Sequence, residues 1–391
     1  MTDIHEFDDI RPFLPEELPE VYERLIADPR FEEAMQFVFP DTPYEQVAQL
    51  MRSCPTNYEF QKRCVYPMLK QLLVKASKGL TSDFSNITGN GYTFVSNHRD
   101  IVLDSALLDV TLVDQELDTV EIAIGDNLLI YPWIKDLVRV NRSFIVQRAL
   151  TMRQMLMASA KMSKYMHYVV GEKGGNIWIA QREGRAKDSN DRTQDSVLKM
   201  LAMGGEGDLV SRLKDLHIVP LAISYEFDPC DYLKAEEFQN KRDIEDFKKS
   251  KQDDLDNMRT GIFGYKGHIH YHAAPCINEW LDTIDPETPK SEIFHLVAQH
   301  IDEQIHAHYR LYPGNLVALQ MLAERWPDAV EGVDLKELAK RVEVSEADRQ
   351  AFLGYIKHQT EQIKIENPDN EFLLNRLLTM YAFPAINQLR N

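Results

Sequence analysis

Short apolar stretches alternate with helical patterns between residues 90 and 275, and this alternation restricts the fold more than any other feature. The stretches are rich in Val, Ile, Phe and Trp, which is typical of buried strands. The predicted strands lie in GYTFVSNH (91–98), VEIAIGDN (120–127), SFIVQR (143–148), NIWIAQREG (176–184), LHIVPLAISYEF (216–227) and GHIHYHAAP (267–275). Strands that alternate with helices predict an α/β fold, a mostly parallel sheet with flanking helices.

Helical patterns lie on both sides of this region. We predict three parts: an N-terminal helical segment (1–80), an α/β domain (81–312) and a C-terminal helical segment (313–391). The long helical pattern behind the third strand begins at Ala149. Residues 236–261 are dense in charge and poor in apolar residues, and we predict an exposed helical insertion or a mobile loop there.

The composition excludes several classes of protein. A formal net charge of −18 argues against binding to nucleic acid or to an anionic membrane through the overall field, so an anionic substrate needs a local basic pocket. The four cysteines form no CxxC pair, which favours a reducing, cytoplasmic location. We expect neither a signal peptide nor a membrane-spanning segment.

One helix leaves two interpretations open. Lys70, Lys75 and Lys78 make the end of the predicted helix 57–80 basic and amphipathic. It is either a packed helix with a solvated face or a helix that rests on the inner face of the membrane.

Polar side chains follow the predicted strands, where ligands bind in parallel sheets. A His beside a carboxylate is a general base for a hydroxyl group, and His98 is followed by Asp100 and Asp104. The basic residues near the other strand ends would suit a phosphate group; they are Arg142, Arg148, Arg182, Arg185 and Lys187. No Ser or Cys lies in a nucleophile-elbow context. The pattern indicates group transfer to a substrate hydroxyl.

The tripeptide His98-Arg99-Asp100 matches the start of the protein-kinase catalytic loop, H-R-D-x-x-x-x-N. The Asn position of that loop is Ser105 here, and no Gly-rich phosphate loop with a downstream strand Lys precedes it. We therefore reject a kinase.

Four ordered segments resemble the motifs of the glycerolipid acyltransferases, the glycerol-3-phosphate and lysophosphatidate acyltransferase superfamily. They are Asn97-His98 with the downstream aspartates; GDNLL (125–129) with FIVQR (144–148); Glu183-Gly184-Arg185-Ala186-Lys187; and Val219-Pro220. Asp104 stands six residues after His98 where the family has five, Ala186 replaces the usual Arg, and Arg148 is one residue late. The chain therefore resembles a divergent, soluble subfamily.

The resemblance implies a mechanism in which His98, oriented by Asp104 or by Asp100, deprotonates the acceptor hydroxyl. That oxygen attacks an acyl thioester of coenzyme A or acyl-carrier protein. The acceptor is glycerol 3-phosphate or a lysophospholipid, and no metal or redox cofactor is required. The substrate-binding residues implied are Asn97, Arg99, Asp126, Asn127, Arg142, Arg148, Arg182, Glu183, Gly184, Arg185 and Lys187.

Other interpretations remain open. The chain is alternatively a non-catalytic module that binds lipid or acyl carrier, or a thioester hydrolase. Asn97 or Asp100 can simply cap the helix that follows, and Gly184 can serve a left-handed turn. His268, His270 and His272 share one strand face, which is more typical of a half-exposed sheet than of a metal site.

Overall fold

The apolar stretches pair into one sheet. The computed structural model describes residues 2–148 and 151–390. In that part the sheet has seven strands in the order β1-β7-β6-β2-β5-β3-β4. The strands are β1 (Gly79–Asp83), β2 (Thr93–Ser96), β3 (Val120–Gly125), β4 (Ser143–Val146), β5 (Asn176–Ala180), β6 (Ile218–Tyr225) and β7 (His268–Ala273). Neighbours are parallel except β6 and β7, so the predicted α/β fold is confirmed.

Strand β2 lies at the centre of the sheet. Its Thr93 pairs with Ile177 of β5 and with Ile218 of β6, and all four of its residues are buried. Successive side chains of a strand point to opposite faces. Phe94 accordingly packs in one apolar layer and Val95 in the other. Both faces of the sheet are therefore covered, as parallel strands require.

Helices flank the sheet and form both terminal segments. The N-terminal helices are α1 (Leu18–Ile26), α2 (Pro29–Val38), α3 (Tyr44–Arg52), α4 (Asn57–Phe60) and α5 (Tyr66–Ala76). The middle of the chain forms α6 (Leu103–Asp114), α7 (Pro132–Val140), α8 (Met152–His167), α9 (Asp195–Leu201), α10 (Leu209–Lys214), α11 (Asp231–Asp243), α12 (Lys251–Phe263), α13 (Asn278–Leu281) and α14 (Lys290–Ala307). The C-terminal helices are α15 (Pro313–Arg325), α16 (Leu335–Ala339), α17 (Glu346–Gln362) and α18 (Asn370–Arg390).

Local chemistry sets several of these boundaries. Helix α8 begins after a capping box in which Thr151 and Gln154 satisfy each other's backbone N–H groups. The first two residues of the predicted helix, Ala149 and Leu150, lie outside the described residues. Short 3₁₀ turns cover Ile4–Phe7 and Asp126–Leu128, and π-helical turns cover Gln61–Val65 and Tyr168–Glu172.

The N-terminal helices α1 to α4 and the C-terminal helices α15 to α18 each pack around their own apolar cluster. The C-terminal cluster also includes Ala235 of α11. The domain boundaries at 80/81 and 312/313 stay predictions.

Helix α5 packs against the sheet through Leu69 and Leu73. The carboxylate of Asp114 in α6 accepts from Lys70 Nζ at 2.9 Å. These contacts favour the packed-helix interpretation for this side of α5. No helix among residues 2–148 and 151–390 is long and apolar enough to cross a membrane.

Two sequence expectations differ from the structure, the second of them only in part. Residues 79–83 form edge strand β1, which pairs with β7 alone, although Gly79 and Leu80 were assigned to the helical segment. Leu80 is its single apolar residue, so the strand carries little sequence signal. The charged stretch 236–261 is mostly exposed or half-buried and contains the end of α11 and most of α12, joined by residues 244–250, but Glu237 and Asn257 are buried against charged partners.

Candidate active site

The loop between β2 and α6 holds His98 beside Asp104. Strand β2 ends at Ser96 and α6 begins at Leu103, which places Asp104 in the first helical turn. His98 Nδ1 lies 2.8 Å from Asp104 Oδ2. The His98 side chain is 13% exposed and stands edge-on to Trp178 with ring centroids 5.6 Å apart. The imidazole is therefore oriented by one carboxylate and one ring, with a face left toward solvent.

The buried carboxylate of Asp104 accepts hydrogen bonds only. Its Oδ2 receives the backbone N–H groups of Arg99 (2.6 Å) and Asp100 (3.1 Å), and its Oδ1 receives the Tyr225 hydroxyl (3.2 Å). An acceptor in this position assigns the His98 proton to Nδ1. No group among residues 2–148 and 151–390 hydrogen-bonds to His98 Nε2, so its lone pair can take a proton.

Asp100 caps α6. Its Oδ1 accepts the N–H groups of Val102 (2.9 Å) and Leu103 (2.8 Å), which are unpaired donors at a helix start. Burial, together with the nearby charge of Asp104, raises the pKa of Asp100. The geometry thus gives the two aspartates different partners, Asp104 the imidazole and Asp100 the helix.

Asn97 and Arg99 bind protein groups on either side of His98. The Asn97 carboxamide bonds to both backbone groups of Ile223 (2.9 and 2.8 Å), which ties the end of β2 to β6. The buried Arg99 forms a bidentate ion pair with Asp191 (3.0 and 2.6 Å), and Asp191 also accepts from the Tyr309 hydroxyl. Both side chains are buried and bonded to protein groups, so they hold the loop.

Side chains of the second and third motifs meet at one edge. Arg148 Nη1 lies 3.3 Å from Glu183 Oε1, and the Arg148 N–H donates to Asp126 Oδ1 at 3.1 Å. Asn127 is exposed beside them on the same turn. Gly184 has φ +70°, so the left-handed turn that glycine favours is present. The predicted residues of these two motifs are brought together.

The third motif keeps free donors. Arg182 has no hydrogen bond or ion pair in the described part of the chain, and its Nε is buried without a partner. Arg185 Nη2 donates to Asn257 Oδ1 at 3.0 Å, whereas Arg185 Nη1 is buried without a partner. Such donors are suited to an anion.

Lys187 differs from these arginines because its ammonium group forms an ion pair with Glu237. Burial lowers the pKa of Lys187 to about 8 in spite of that partner. Glu237 also forms ion pairs with Lys241 and Lys249, each at 2.8 Å. Lys187 therefore belongs to a cluster of ion pairs around the buried Glu237 carboxylate of α11.

Arg142 lies at the other end of the sheet, which corrects its inclusion in the site. It precedes β4, so it stands at the amino edge, whereas His98 follows the carboxyl end of β2. Its Nη1 donates to Asp118 (2.6 Å) and to Thr119 (2.7 Å). Arg142 is engaged in that buried contact and is not brought to His98.

Sequence reasoning missed a buried ion pair that contacts the loop between β2 and α6. Lys234 pairs with Asp228, and Lys234 Nζ donates to the carbonyl of Arg99 at 3.3 Å. Burial opposes ionisation of Asp228, but the Lys234 ammonium outweighs it and keeps the pKa below the usual value. Asp228 follows the end of β6, so the strand-end rule applied one strand further would have found it.

The three histidines of β7 bind neighbouring groups. His270 Nδ1 lies 2.9 Å from the Thr81 hydroxyl, and His272 stacks on His308 with ring centroids 4.0 Å apart. Within residues 2–148 and 151–390, no group of three or more His, Cys, Asp or Glu side chains could hold a metal ion.

The chain was compared with known proteins. No curated protein sequence matches it. A solved structure, the 1-acyl-sn-glycerophosphate (LPA) acyltransferase PlsC from Thermotoga maritima, aligns over 74% of this chain and 97% of its own, with 12% identity and a TM-score of 0.36. Residues 81–224 match the model of the acyltransferase family. That segment contains all four motifs, so the part of the chain that carries them, residues 81–224, is similar to the acyltransferase family.

Proposed function

We propose that this protein transfers a fatty acyl group from a thioester of coenzyme A or acyl-carrier protein to a hydroxyl of glycerol 3-phosphate or lysophosphatidate. The observation that carries the proposal is the 2.8 Å contact between His98 Nδ1 and Asp104 Oδ2, which leaves Nε2 as the basic nitrogen.

In the proposed reaction His98 Nε2 takes the proton of the acceptor hydroxyl as its oxygen attacks the thioester carbonyl carbon. The tetrahedral intermediate collapses, the C–S bond breaks, and the imidazolium returns the proton to the departing thiolate. Asp104 stabilises the imidazolium between these two transfers, as the carboxylate does in other His-based triads. Every proton is accounted for by His98, so the scheme uses no metal or redox cofactor.

The free donors of Arg182 and Arg185 support a phosphorylated acceptor. Guanidinium groups bind phosphate through paired N–H donors, and the net charge of −18 makes such a local site necessary for any anion. The Arg148–Glu183 pair lies beside them. We also predict a cytoplasmic location with peripheral membrane contact. That location would suit an acceptor such as lysophosphatidate, which is itself a lipid.

The test is thiol release from acyl-coenzyme A or acyl-carrier protein with glycerol 3-phosphate, lysophosphatidate or glycerol as acceptor. We expect release that depends on a phosphorylated acceptor. His98→Ala should lower turnover by roughly 10²–10⁴-fold while the thermal melt is retained. His295→Ala, on the exposed face of α14, is the matched control and should leave turnover unchanged.

Three outcomes contradict the proposal. Unchanged turnover in His98→Ala removes the general base. Thiol release without any acceptor identifies a thioester hydrolase. Binding of acyl carrier without thiol release identifies a non-catalytic module on the same fold.

A further inference from the structure

Helix α12 lies directly on two motifs of the candidate site. The acyltransferase-family match ends at residue 224, so it gives no role to this helix. Helix α12 contacts the third motif through Asn257 and the first motif through Gly261. A helix outside the family segment therefore lies on Arg185, a proposed acceptor-binding residue, and on Asp100 at the start of α6.

Asn257 occupies one donor of Arg185. Its Oδ1 accepts from Arg185 Nη2 at 3.0 Å, and its Nδ2 donates to the carbonyl of Asp253 on the same helix at 2.8 Å. The second bond fixes which end of the carboxamide faces the guanidinium. Arg185 Nη1 is buried beside it with no partner. Of the two terminal nitrogens of Arg185, Nη2 thus donates to a neutral oxygen and Nη1 has no partner.

Gly261 lets the helix backbone rest on the Asp100 carboxylate. A Cβ atom at position 261 would clash with Asp100 Oδ2. Asp100 lies two residues after His98 and caps α6. Helix α12 therefore lies over the loop between β2 and α6. Access to Arg185 from this side requires that α12 move.

The apolar contacts of α12 lie at its C-terminal end, where Ile262 packs against the apolar cluster of the sheet and Phe263 meets Phe37 edge to face. Only Asn257 and Gly261 are buried along its length. Its C-terminal end is anchored by the buried Lys266, whose Nζ donates to the carbonyls of Ile262 (2.9 Å) and Gly264 (2.5 Å). Its N-terminal end follows the mostly exposed, charged residues 243–250. Such a helix can swing about its C-terminal end without exposing an apolar core.

We infer that α12 is a displaceable cover of the acceptor site, in which Asn257 Oδ1 holds the position of a phosphate oxygen on Arg185. The chemical class of the ligand, a phosphate monoester, rests on the proposed function. A phosphate binds Arg185 with charge and so replaces the neutral carboxamide, and α12 moves when it does.

Binding of glycerol 3-phosphate, measured by titration calorimetry, tests the inference without relying on turnover. Asn257→Ala removes the competing oxygen and should lower the Kd by about three- to tenfold. Asn257→Asp places a charged competitor on Arg185 and should raise the Kd at least about threefold. Gln252→Ala, whose amide bonds only to Asp256 on the outer face of α12, is the control and should not change the Kd.

The two Asn257 variants should change the Kd in opposite directions if Asn257 competes with phosphate for Arg185. If Asn257 only supported the structure of the site, both variants would weaken binding. Weaker binding by Asn257→Ala, or no binding by any form of the protein, overturns the inference. Hydrogen exchange in the unaltered chain gives a check that needs no variant: glycerol 3-phosphate should speed exchange in residues 251–263. Slower or unchanged exchange there also overturns it. Failure of the His98 test with normal phosphate binding would instead refute the proposed reaction alone.

Discussion

Replacing Asp104 by Asn separates orientation of the imidazole from support of the fold. An Asn side chain keeps the shape of Asp and can still place its Oδ1 on His98 Nδ1–H and on the N–H groups of Arg99 and Asp100. Its NH₂ then faces the Tyr225 hydroxyl, which can accept. The fold therefore retains its contacts, but the negative charge beside the imidazolium is lost.

The magnitudes follow from these contacts. Three charge-assisted hydrogen bonds become neutral, at roughly 1 kcal/mol each, and the relief of a buried charge offsets part of that. We expect Asp104→Asn to lose about 1–3 kcal/mol of stability. The imidazolium loses its stabilisation in the transition state, so kcat should fall roughly 10²–10⁴-fold, or about 3–5 kcal/mol of barrier.

Asp100→Asn is the matched control because it makes the same change four residues earlier. Asn caps helices about as well as Asp, and the raised pKa of Asp100 means that a neutral side chain is tolerated there. Its kcat should change by less than about fivefold. The assays are thiol release for kcat and denaturant unfolding for stability. A larger loss of kcat in Asp100→Asn than in Asp104→Asn would refute the assignment of the orienting carboxylate.

Two further predictions concern charge. Arg185→Ala should raise the acceptor KM by about tenfold or more with a smaller change in kcat. Arg142→Ala should leave the acceptor KM unchanged and lower the free energy of unfolding. Equal effects of the two variants on KM in steady-state assays would contradict the placement of the two residues. Burial, with the charge of Asp228 nearby, raises the pKa of Asp231 to about 7. The protonated Asp231 carboxyl group therefore stabilises the fold fully below about pH 4, and this contribution is lost as the pH rises to about 7. The free energy of unfolding of Asp231→Asn, relative to that of the unaltered chain, should therefore rise by roughly 2–4 kcal/mol between about pH 4 and pH 7 in unfolding titrations. A difference that does not change with pH would contradict this prediction.

The central strands could be predicted from sequence because β2, β5 and β6 each contain consecutive apolar residues and are followed by polar ones. Edge strand β1 could not, since Leu80 is its only apolar residue and its pairing depends on β7, which follows far along the chain. Long-range pairing of this kind leaves no local periodicity.

The candidate site follows the same division. The strand-end rule brings His98, Arg148 and Arg185 to one edge, because parallel strands share that edge. The rule gave Arg142 the wrong edge, since Arg142 precedes its strand. Asn257 lies far from the motifs in sequence, and its approach to Arg185 depends on how the charged stretch folds back, which charge density alone does not show.

The contacts behind the loop make the acyltransferase segment inseparable from the rest of the chain. The Tyr381 hydroxyl in α18 receives the N–H of Asp228 at 3.0 Å and donates to Asp231 at 2.7 Å, and Asp228 in turn pairs with Lys234, which bonds to the carbonyl of Arg99. A fragment limited to residues 81–224 would leave Asp191 and Arg99 without Tyr309 and Lys234. Unpaired groups of this kind are costly once buried. We therefore expect the loop that holds His98 to need the C-terminal helices for its geometry, so residues 81–224 moved into another protein would carry the four motifs without that geometry.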